Sequence, residues 1–381
     1  MEYFDVSGLV GKAVKVVHVI IGLNVGGAEL MLKRLIESCR EQPSIEHSVI
    51  SLTDLGVLGE QLIDQGILVH CLEMKSIRKV PVAFFKLRKF IAQVRPDVVQ
   101  TWMYHSDFLG GLAAKSLGID KIYWNVRNTK LSGRGFRNLL FRRVCALFSY
   151  LVPKNIVYVS NSAKNEHVAA GYAKNKSIVI NNGFDVELFS FRKSARNEKR
   201  AEWNIANNDF LVCSIGRYAE AKDHITFIRS VKKVISENPK IYGLIVGKGV
   251  VGNGVLMNEI GIHGDKFILL ESQSDISGVL SACDLFCLHS ITEGFPNVLG
   301  EAMSVGLPCI TTRAGDAELI LNNKQFTCDV GDSDDIAKKI MLVYDMTPNE
   351  RMALGSANRA RVVNNYSLSS VVDKYMDLYN S

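Results

Sequence analysis

Two segments of this chain follow the same pattern of an apolar run, a glycine-containing turn and a helix. The first begins with Lys15-Val-Val-His-Val-Ile-Ile21 and continues through Gly22-Leu-Asn-Val-Gly-Gly-Ala-Glu29. The second runs from Phe210 to Asp223 in the same order. A buried strand that passes through a glycine turn into a helix is typical of a parallel, doubly wound sheet. The sequence therefore predicts two Rossmann-like α/β domains.

Length and composition agree with two soluble domains. A chain of 381 residues exceeds one typical core, and 47% hydrophobic with 22% charged residues is ordinary for a globular protein. The eight cysteines are scattered without a Cys-x-x-Cys pair, which indicates a reducing compartment without disulfides or zinc. The acidic start Met1–Asp5 is unlike a secretory signal, and no apolar run is long enough to cross a membrane.

The most informative stretch runs from Asp284 to Pro308. It predicts a short buried strand, a turn, and a helix that begins near Asn297. Glu301 is the one charged residue of that apolar helix, and Glu293 lies in the loop before it. The free N–H groups at the start of the helix favour an anion between the two carboxylates. A sugar, a diphosphate and a ribose laid end to end would suit such a site.

The same stretch carries a resemblance to a known family. Glu293-Gly-Phe-Pro-Asn, Glu301-Ala-Met and Gly306-Leu-Pro308 resemble the paired-glutamate signature of retaining GT-B glycosyltransferases of the family 4 type. That family includes sucrose synthases and bacterial lipopolysaccharide and capsule transferases. The resemblance covers nearly the whole chain and is most specific from Phe210 to Glu318.

The resemblance implies the GT-B fold: α/β, with two Rossmann-like domains facing across a cleft and a C-terminal helix crossing back to the first domain. It implies an acceptor-binding domain at residues 1–190 and a nucleotide-sugar-binding domain at 191–364. The crossing helix would then be 365–381, where apolar residues recur at helical spacing.

By the same resemblance, Glu293 holds hydroxyls of the transferred sugar and Glu301 those of the ribose. Arg217 and Lys222 grip the donor diphosphate, which fits the negative charge that develops on this leaving group. Asp223 stands where the family commonly has glycine. The remaining donor contacts are assigned to backbone N–H groups at the helix start and to the first glycine turn: Phe295, Pro296, Asn297, Val298, Gly26 and Gly27.

Polar residues also follow two predicted strands of the first half. His105 comes after Val98–Thr101 and matches the family's histidine beside the transferred sugar, although His105 or Asp107 could instead cap the following helix. Arg127 and Asn128 follow Lys121–Val126 and are assigned to the acceptor side. His105 and Glu293 are therefore the expected catalytic residues.

The first half of the chain carries the positive charge. Residues 1–190 contain 24 Lys and Arg against 16 Asp and Glu, a balance of +8, whereas the remainder is −2. Basic and bulky apolar residues alternate along a predicted helix, which favours contact with an anionic membrane surface over a merely solvated helix. No nucleic-acid-binding module accompanies the charge. The basic residues of this surface include Lys75, Arg78, Lys79, Lys86, Arg88, Lys89, Lys130, Arg134, Arg137, Arg142 and Arg143.

The resemblance implies a retaining glycosyltransferase, and with Arg217 and Lys222 assigned to the leaving diphosphate it is expected to be metal-independent. Its partners would be a nucleotide diphosphate sugar, with UDP favoured, and a glycan or polyprenyl-diphosphate-linked acceptor in surface polysaccharide or lipopolysaccharide synthesis. We expect no cofactor beyond this co-substrate, and no Asp-x-Asp metal motif in the sequence. The protein would be cytoplasmic and peripheral at the inner face of the membrane. A nucleotide-sugar 2-epimerase of GT-B fold and a non-enzymatic binding module remain the alternatives.

Overall fold

The computed structural model of the chain describes residues 13–40, 44–74, 76–128 and 136–381. The predictions on Met1–Asp5, Lys75, Lys130 and Arg134 lie outside the described residues, as does any statement on the side chain of Arg137. The chain divides into two compact units, one comprising Met1–Gly183 with Val371–Ser381 and the other Phe184–Ser370.

The first unit is built on a seven-stranded parallel sheet with the strand order β3-β2-β1-β4-β5-β6-β7. This order places β1 and β4 at the centre, where the order of the strands reverses, as in a doubly wound fold. The strands are β1 Val14–Ile20, β2 Ile45–Ser51, β3 Leu68–Cys71, β4 Val98–Trp102, β5 Ile122–Val126, β6 Asn155–Tyr158 and β7 Ser177–Val179. The helices are α1 Gly27–Cys39, α2 Gly56–Asp64, α3 Val80–Val94, α4 Tyr104–Lys115, α5 Phe136–Phe148 and α6 Asn161–Ala169.

The second unit repeats this plan with six parallel strands in the order β10-β9-β8-β11-β12-β13. Its strands are β8 Phe210–Ile215, β9 Ile241–Val246, β10 Phe267–Leu270, β11 Leu285–Leu288, β12 Cys309–Thr312 and β13 Thr327–Cys328. Its helices are α7 Lys193–Glu202, α8 His224–Glu237, α9 Gly254–Ile260, α10 Ile276–Ala282, α11 Asn297–Val305, α12 Ala317–Leu321, α13 Ser333–Tyr344 and α14 Pro348–Tyr366. The two predicted Rossmann-like domains are thus confirmed.

The last helix, α15 at Leu368–Asn380, belongs from Val371 onward to the first unit. Tyr123 of β5 donates its hydroxyl to the Leu378 carbonyl at 2.7 Å, and Asn125 donates its amide to the Tyr375 hydroxyl at 3.0 Å. Tyr375 and Tyr379 are fully buried. The return of the C-terminal helix to the first domain is therefore confirmed, and it rests on polar contacts as well as on the apolar face.

A largely buried cluster of one aspartate and two arginines joins α7 to the sheet of the second unit. The two Asp284 oxygens accept from Arg196 Nη2 at 2.7 Å and Arg200 Nη1 at 3.1 Å, and Oδ2 also accepts from Leu211 N at 2.8 Å. The Arg200 side chain is only 1% exposed and also donates to the Ala282 carbonyl at 2.9 Å. Asp284 thus orders the residues just before β11.

The Asp-x-Asp spacing does occur in this chain, at Asp332-Ser-Asp334, so the sequence interpretation overlooked it. Asp332 is the N-cap of α13, and its Oδ1 accepts from Asp334 N at 3.1 Å and Asp335 N at 2.9 Å. The Asp334 carboxylate lies 2.6 Å from Lys233 Nζ. Both acids therefore have roles at the start of a helix.

Within the described ranges, no helix is long and apolar enough to cross a membrane.

Two buried histidines pair at the centre of the first unit. Trp102 Nε1 donates to His18 Nδ1 at 3.2 Å, so the proton of His18 is on Nε2, which donates to His47 Nδ1 at 2.9 Å. Burial lowers the pKa of His47 from 6.5 to about 4, and the pKa of His18 is lowered well below its ordinary value by burial and by His47. Both rings are neutral in the folded protein at neutral pH.

The buried pair of His18 and His47 predicts that the first unit becomes less stable in acid. Between pH 6.5 and 4 the unfolded chain takes up a proton at His47 that the folded chain refuses, so the free energy of unfolding falls as the pH falls. The His47 part of this loss is about 3 kcal/mol at pH 4. We expect His47→Gln to show a correspondingly shallower pH dependence than the parent in urea unfolding, followed by tryptophan fluorescence in a Trp203→Phe background. If the free energy of unfolding fell equally steeply with pH in both proteins, the prediction would be wrong.

Candidate functional site

The residues assigned to the donor diphosphate lie at the carboxyl edge of the second sheet. The strands β8 and β11 are neighbours, so the loops after Ile215 and after Leu288 emerge side by side. Lys222 Nζ of the first loop lies 2.6 Å from Glu293 Oε1 of the second. Their side chains are 25% and 12% exposed, so this ion pair is largely sheltered from water. Open α/β sheets bind ligands at this edge.

Glu293 is fixed by a second contact. Ser290 Oγ donates to the same Glu293 oxygen at 2.6 Å. The Glu293 carbonyl also lies so close to Gly315 that a Cβ there would collide with it, and Gly315 has a φ of +58°. Sequence reasoning missed Ser290 and Gly315, although glycine after the next strand signals a close backbone approach.

The loop that carries both cations is held by close glycine packing. The Lys222 stem passes 3.4–3.6 Å from where a Cβ of Gly216 would be, and a Cβ on Gly247 would collide with the Gly216 carbonyl. His224 is buried, and its Nε2 lies 3.3 Å from the Arg217 carbonyl. Arg217 itself is exposed, so its guanidinium can reach a ligand in solution.

Asp223 has the backbone conformation that glycine most readily adopts. Its φ and ψ are 49° and 48°, in the left-handed region, which explains why family members commonly have glycine at this position. Asp is one of the side chains that tolerate this region, and here its Oδ1 accepts from Thr226 N at 3.3 Å as the N-cap of α8. The substitution therefore preserves the turn after Lys222.

A neutral histidine lies beneath this edge. His289 is buried at the end of β11, with its Nε2 2.5 Å from Ser214 Oγ of β8. Burial, aided by His224, lowers its pKa to about 3, so it is uncharged at neutral pH. It adds no cation to the site, but it joins the two strands whose loops carry Lys222 and Glu293. The sequence interpretation missed this role.

The helix α11 begins as predicted at Asn297, after the extended residue Pro296. Pro296 has no N–H, so the expectation that every residue from Phe295 to Val298 donates one is wrong at this position. Phe295 is buried, and its ring lies 5.9 Å from that of Phe184. Glu301 is half-buried one turn after Asn297, and the spacing of four residues places both on one helix face.

In the first unit, Gly26 is the N-cap of α1, and the Glu29 carboxylate folds back over it. A Cβ on Gly26 would collide with Glu29 Oε2, whereas one on Gly27 would meet no atom within 4 Å. Partial burial raises the pKa of Glu29. The Glu29 carboxylate is the end of a flexible side chain and could move aside, so the assignment of Gly26 and Gly27 to the donor stays a prediction.

His105 lies in the first turn of α4, directly after β4. Its ring is stacked on Phe141 with 4.9 Å between centroids, and partial desolvation lowers its pKa. Asp107 does not cap this helix, contrary to the alternative considered for it. Its Oδ1 accepts from Thr101 Oγ1 at 2.6 Å, and burial raises its pKa to about 7.

Arg127 and Asn128 follow β5, and Asn128 is exposed. Arg127 is half-buried and donates to Asn125, Asn182 and the Tyr375 hydroxyl. The site residues predicted from the sequence thus divide between the units. Gly26, Gly27, His105, Arg127 and Asn128 lie in the first unit, and Arg217, Lys222, Glu293, Phe295, Pro296, Asn297, Val298 and Glu301 lie in the second.

Two family models match consecutive parts of the chain. Residues 25–188 match Glycosyltransferase Family 4, and residues 195–361 match Glycosyl transferases group 1. Together they span most of both units. The sites at Gly26, His105 and Arg127 fall in the first match, and those at Lys222, Glu293 and Glu301 in the second.

Curated relatives and a solved structure extend this likeness. The chain is 26% identical over 316 residues to the Escherichia coli UDP-Gal:alpha-D-GlcNAc-diphosphoundecaprenol alpha-1,3-galactosyltransferase, covering 80% of each protein. It is 24% identical to the capsular polysaccharide biosynthesis glycosyltransferase CapM of Staphylococcus aureus, covering 81% of each. Anabaena HepE in complex with UDP matches 95% of this chain and 98% of its own, with a TM-score of 0.82 and 20% identity.

Proposed function

Because the chain belongs to the glycosyltransferases of the GT-B fold, with a family 4 domain and a group 1 domain, we propose that it transfers a sugar from a UDP-sugar with retention of anomeric configuration. The acceptor would be a glycan or a lipid-linked glycan in surface polysaccharide or lipopolysaccharide synthesis. The observation that supports this most directly is the sheltered Lys222–Glu293 pair at the carboxyl edge of the second sheet.

Breaking the glycosidic bond leaves negative charge on the donor diphosphate. Arg217, Lys222 and the N-terminus of α11 would stabilise that charge in the transition state. No metal ion is required for this role. Lys222 is already held by Glu293, so the cation is positioned before the donor arrives, and a preorganised charge needs little reorganisation during the reaction.

Glu293 would accept hydrogen bonds from hydroxyls of the transferred sugar. Glu301, on the same helix face as Asn297, would accept those from the ribose hydroxyls. Lys222 and Ser290 both donate to Glu293 Oε1, which orients this carboxylate as a hydrogen-bond acceptor. Because neither acid is proposed as a nucleophile, we propose front-side attack by the acceptor, assisted by the leaving phosphate. His105, neutral at physiological pH, would help to orient the sugar or the acceptor.

The acceptor side of this proposal rests on the first unit. Along α5 and just after it, a row of apolar side chains is exposed beside the exposed Arg143, and contact with an anionic membrane would cover them. The protein would thus bind peripherally at the inner face of the membrane. The Escherichia coli relative is named for a diphosphoundecaprenol-linked acceptor. The exposed residues of this row are Leu139, Leu140, Leu147, Tyr150 and Leu151.

Nucleotide binding tests the donor site. We expect UDP to raise the melting temperature of the protein, because a ligand that binds only the folded state stabilises it by mass action. The rise should diminish in Glu301→Ala, with GDP, ADP and NAD as comparison ligands. Stabilisation by NAD alone would refute transfer. A nucleotide sugar incubated without acceptor should remain unchanged, whereas an epimerase would isomerise it.

A further inference from the structure

Arg127 of the first unit is a half-buried cation whose partners are all neutral. Its Nη1 donates to Asn125 Oδ1 at 3.3 Å and to the Tyr375 hydroxyl at 3.2 Å, with a longer contact of 3.5 Å to the Ile180 carbonyl. Its Nη2 donates to Asn182 Oδ1. Throughout the ranges that the structure describes, no carboxylate forms an ion pair with this guanidinium.

This arrangement differs from that of the fully buried Arg200. Arg200 in the second unit is paired with Asp284, so its charge is compensated. Burial lowers the pKa of Arg127, yet a guanidinium remains protonated in proteins. A positive charge removed from water without a counterion raises the energy of the protein, and an anionic ligand would relieve that cost.

The surroundings of Arg127 are those of a ligand site. It follows the carboxyl end of β5, and its guanidinium lies 5.6 Å from the ring centre of Trp102 at the end of neighbouring β4. The next residue, Met103, has φ 73° and ψ 155°, a conformation that side chains other than glycine rarely adopt. Such strained residues concentrate at functional sites, and this one lies at the sheet edge where α/β folds bind ligands.

We propose that Arg127 is the centre of a phosphoryl-binding subsite on the first unit. A phosphate or diphosphate supplies the missing negative charge, and its oxygens accept several guanidinium N–H bonds at once. This inference rests on the proposed function, in which such groups belong either to the donor or to a lipid-linked acceptor. It gives Arg127 a role in substrate binding beyond its contacts with Asn125 and Tyr375.

Inorganic pyrophosphate is the probe, titrated by calorimetry into Lys222→Gln, which lacks one of the two cations of the second-unit site. We expect Arg127→Gln in that background to weaken the remaining binding by about tenfold or more, because hydrogen bonds to charged groups are the strong ones. Arg40→Gln, at an exposed arginine of the same unit, is the matched control and should change the affinity less than about twofold. An unchanged affinity in the Arg127 variant would overturn the proposal.

UDP and farnesyl diphosphate distinguish the two sources of the phosphoryl group. If it belongs to the acceptor, Arg127→Gln keeps the parent's affinity for UDP and loses that for farnesyl diphosphate. If it belongs to the donor, the affinity for UDP falls too. Failure of the parent to bind any nucleotide would refute the proposed function, whereas the pyrophosphate titration tests the subsite separately.

Because Arg127→Gln also removes bonds to Asn125 and Tyr375, hydrogen exchange on the unaltered protein provides a second measurement. Pyrophosphate should slow exchange in a peptide that covers Ile122–Val126 and the two residues after it. Protection confined to the loops around Lys222 and Glu293 would place the anion entirely in the second unit and overturn the proposal.

Discussion

Replacing Lys222 by alanine is expected to lower kcat by about 10²–10³-fold, the usual loss when one preorganised group that stabilises transition-state charge is removed. Lys222 Nζ lies 2.6 Å from Glu293 Oε1, so the change removes a cation from the diphosphate and a hydrogen-bond donor from Glu293. The fall should appear mainly in kcat, because the leaving group gains its full charge only as the bond breaks. Steady-state kinetics with a UDP-sugar and an acceptor extract measures it.

The matched control is Arg229→Ala on α8 of the same unit. Arg229 pairs with Glu259 through Nε at 3.0 Å, but its side chain is 57% exposed, so solvent screens the pair. Its loss should leave kcat within about twofold, since exposed ion pairs contribute little. A similar kcat for Lys222→Ala and Arg229→Ala would exclude Lys222 from the diphosphate site.

Replacing Asp284 by alanine is expected to lower the free energy of unfolding of the second unit by about 3–5 kcal/mol. The change leaves the guanidinium of Arg200, only 1% exposed, without its anion, and it also removes a partner of Arg196. The Arg200 guanidinium would keep its hydrogen bonds to backbone carbonyls, which do not neutralise its charge. Urea unfolding followed by the fluorescence of Trp203, which lies between α7 and β8, reports on this unit.

Asp334→Ala serves as the control for Asp284→Ala. Asp334 pairs with Lys233 at 2.6 Å, but its side chain is 74% exposed, so solvent screens the pair and stability should hardly change. If Asp284→Ala unfolded at the same urea concentration as the parent, the buried cluster would not be a determinant of stability. The substitution is also expected to disorder the residues that precede β11 and, through them, the loop of Glu293.

The sequence was sufficient to predict the fold because periodicity and turn chemistry act locally. The runs at Lys15–Ile21 and Phe210–Ile215 form central strands, and glycine turns lead from both into helices. The helix predicted to begin near Asn297 does begin there, and the terminal helix packs on the first unit. The signal for each strand and helix lies within about ten consecutive residues, and β-branched strands and apolar helix faces have few other ways to be buried. The packing of the terminal helix on the first unit was implied by the family resemblance.

Candidate residues could be named from the sequence, but their contacts could not. The motif indicates Glu293 and Lys222, yet only the order of β8 and β11 in the sheet brings their side chains to 2.6 Å. The role of His289 beneath them and that of Ser290 beside Glu293 leave no pattern in the sequence, because each depends on a partner distant along the chain. Asp107 was misjudged for the same reason.

The sequence by itself thus determined the two parallel α/β domains, the glycine turns and the residue types at the ends of their strands. The tertiary structure alone decided which charges are paired: Lys222 with Glu293, Asp284 with two arginines, and Arg127 with neutral groups only. The physical reason is that secondary structure depends on neighbours in the chain. The energy of a charge depends instead on burial and on partners brought near by strand order, which residue spacing does not encode.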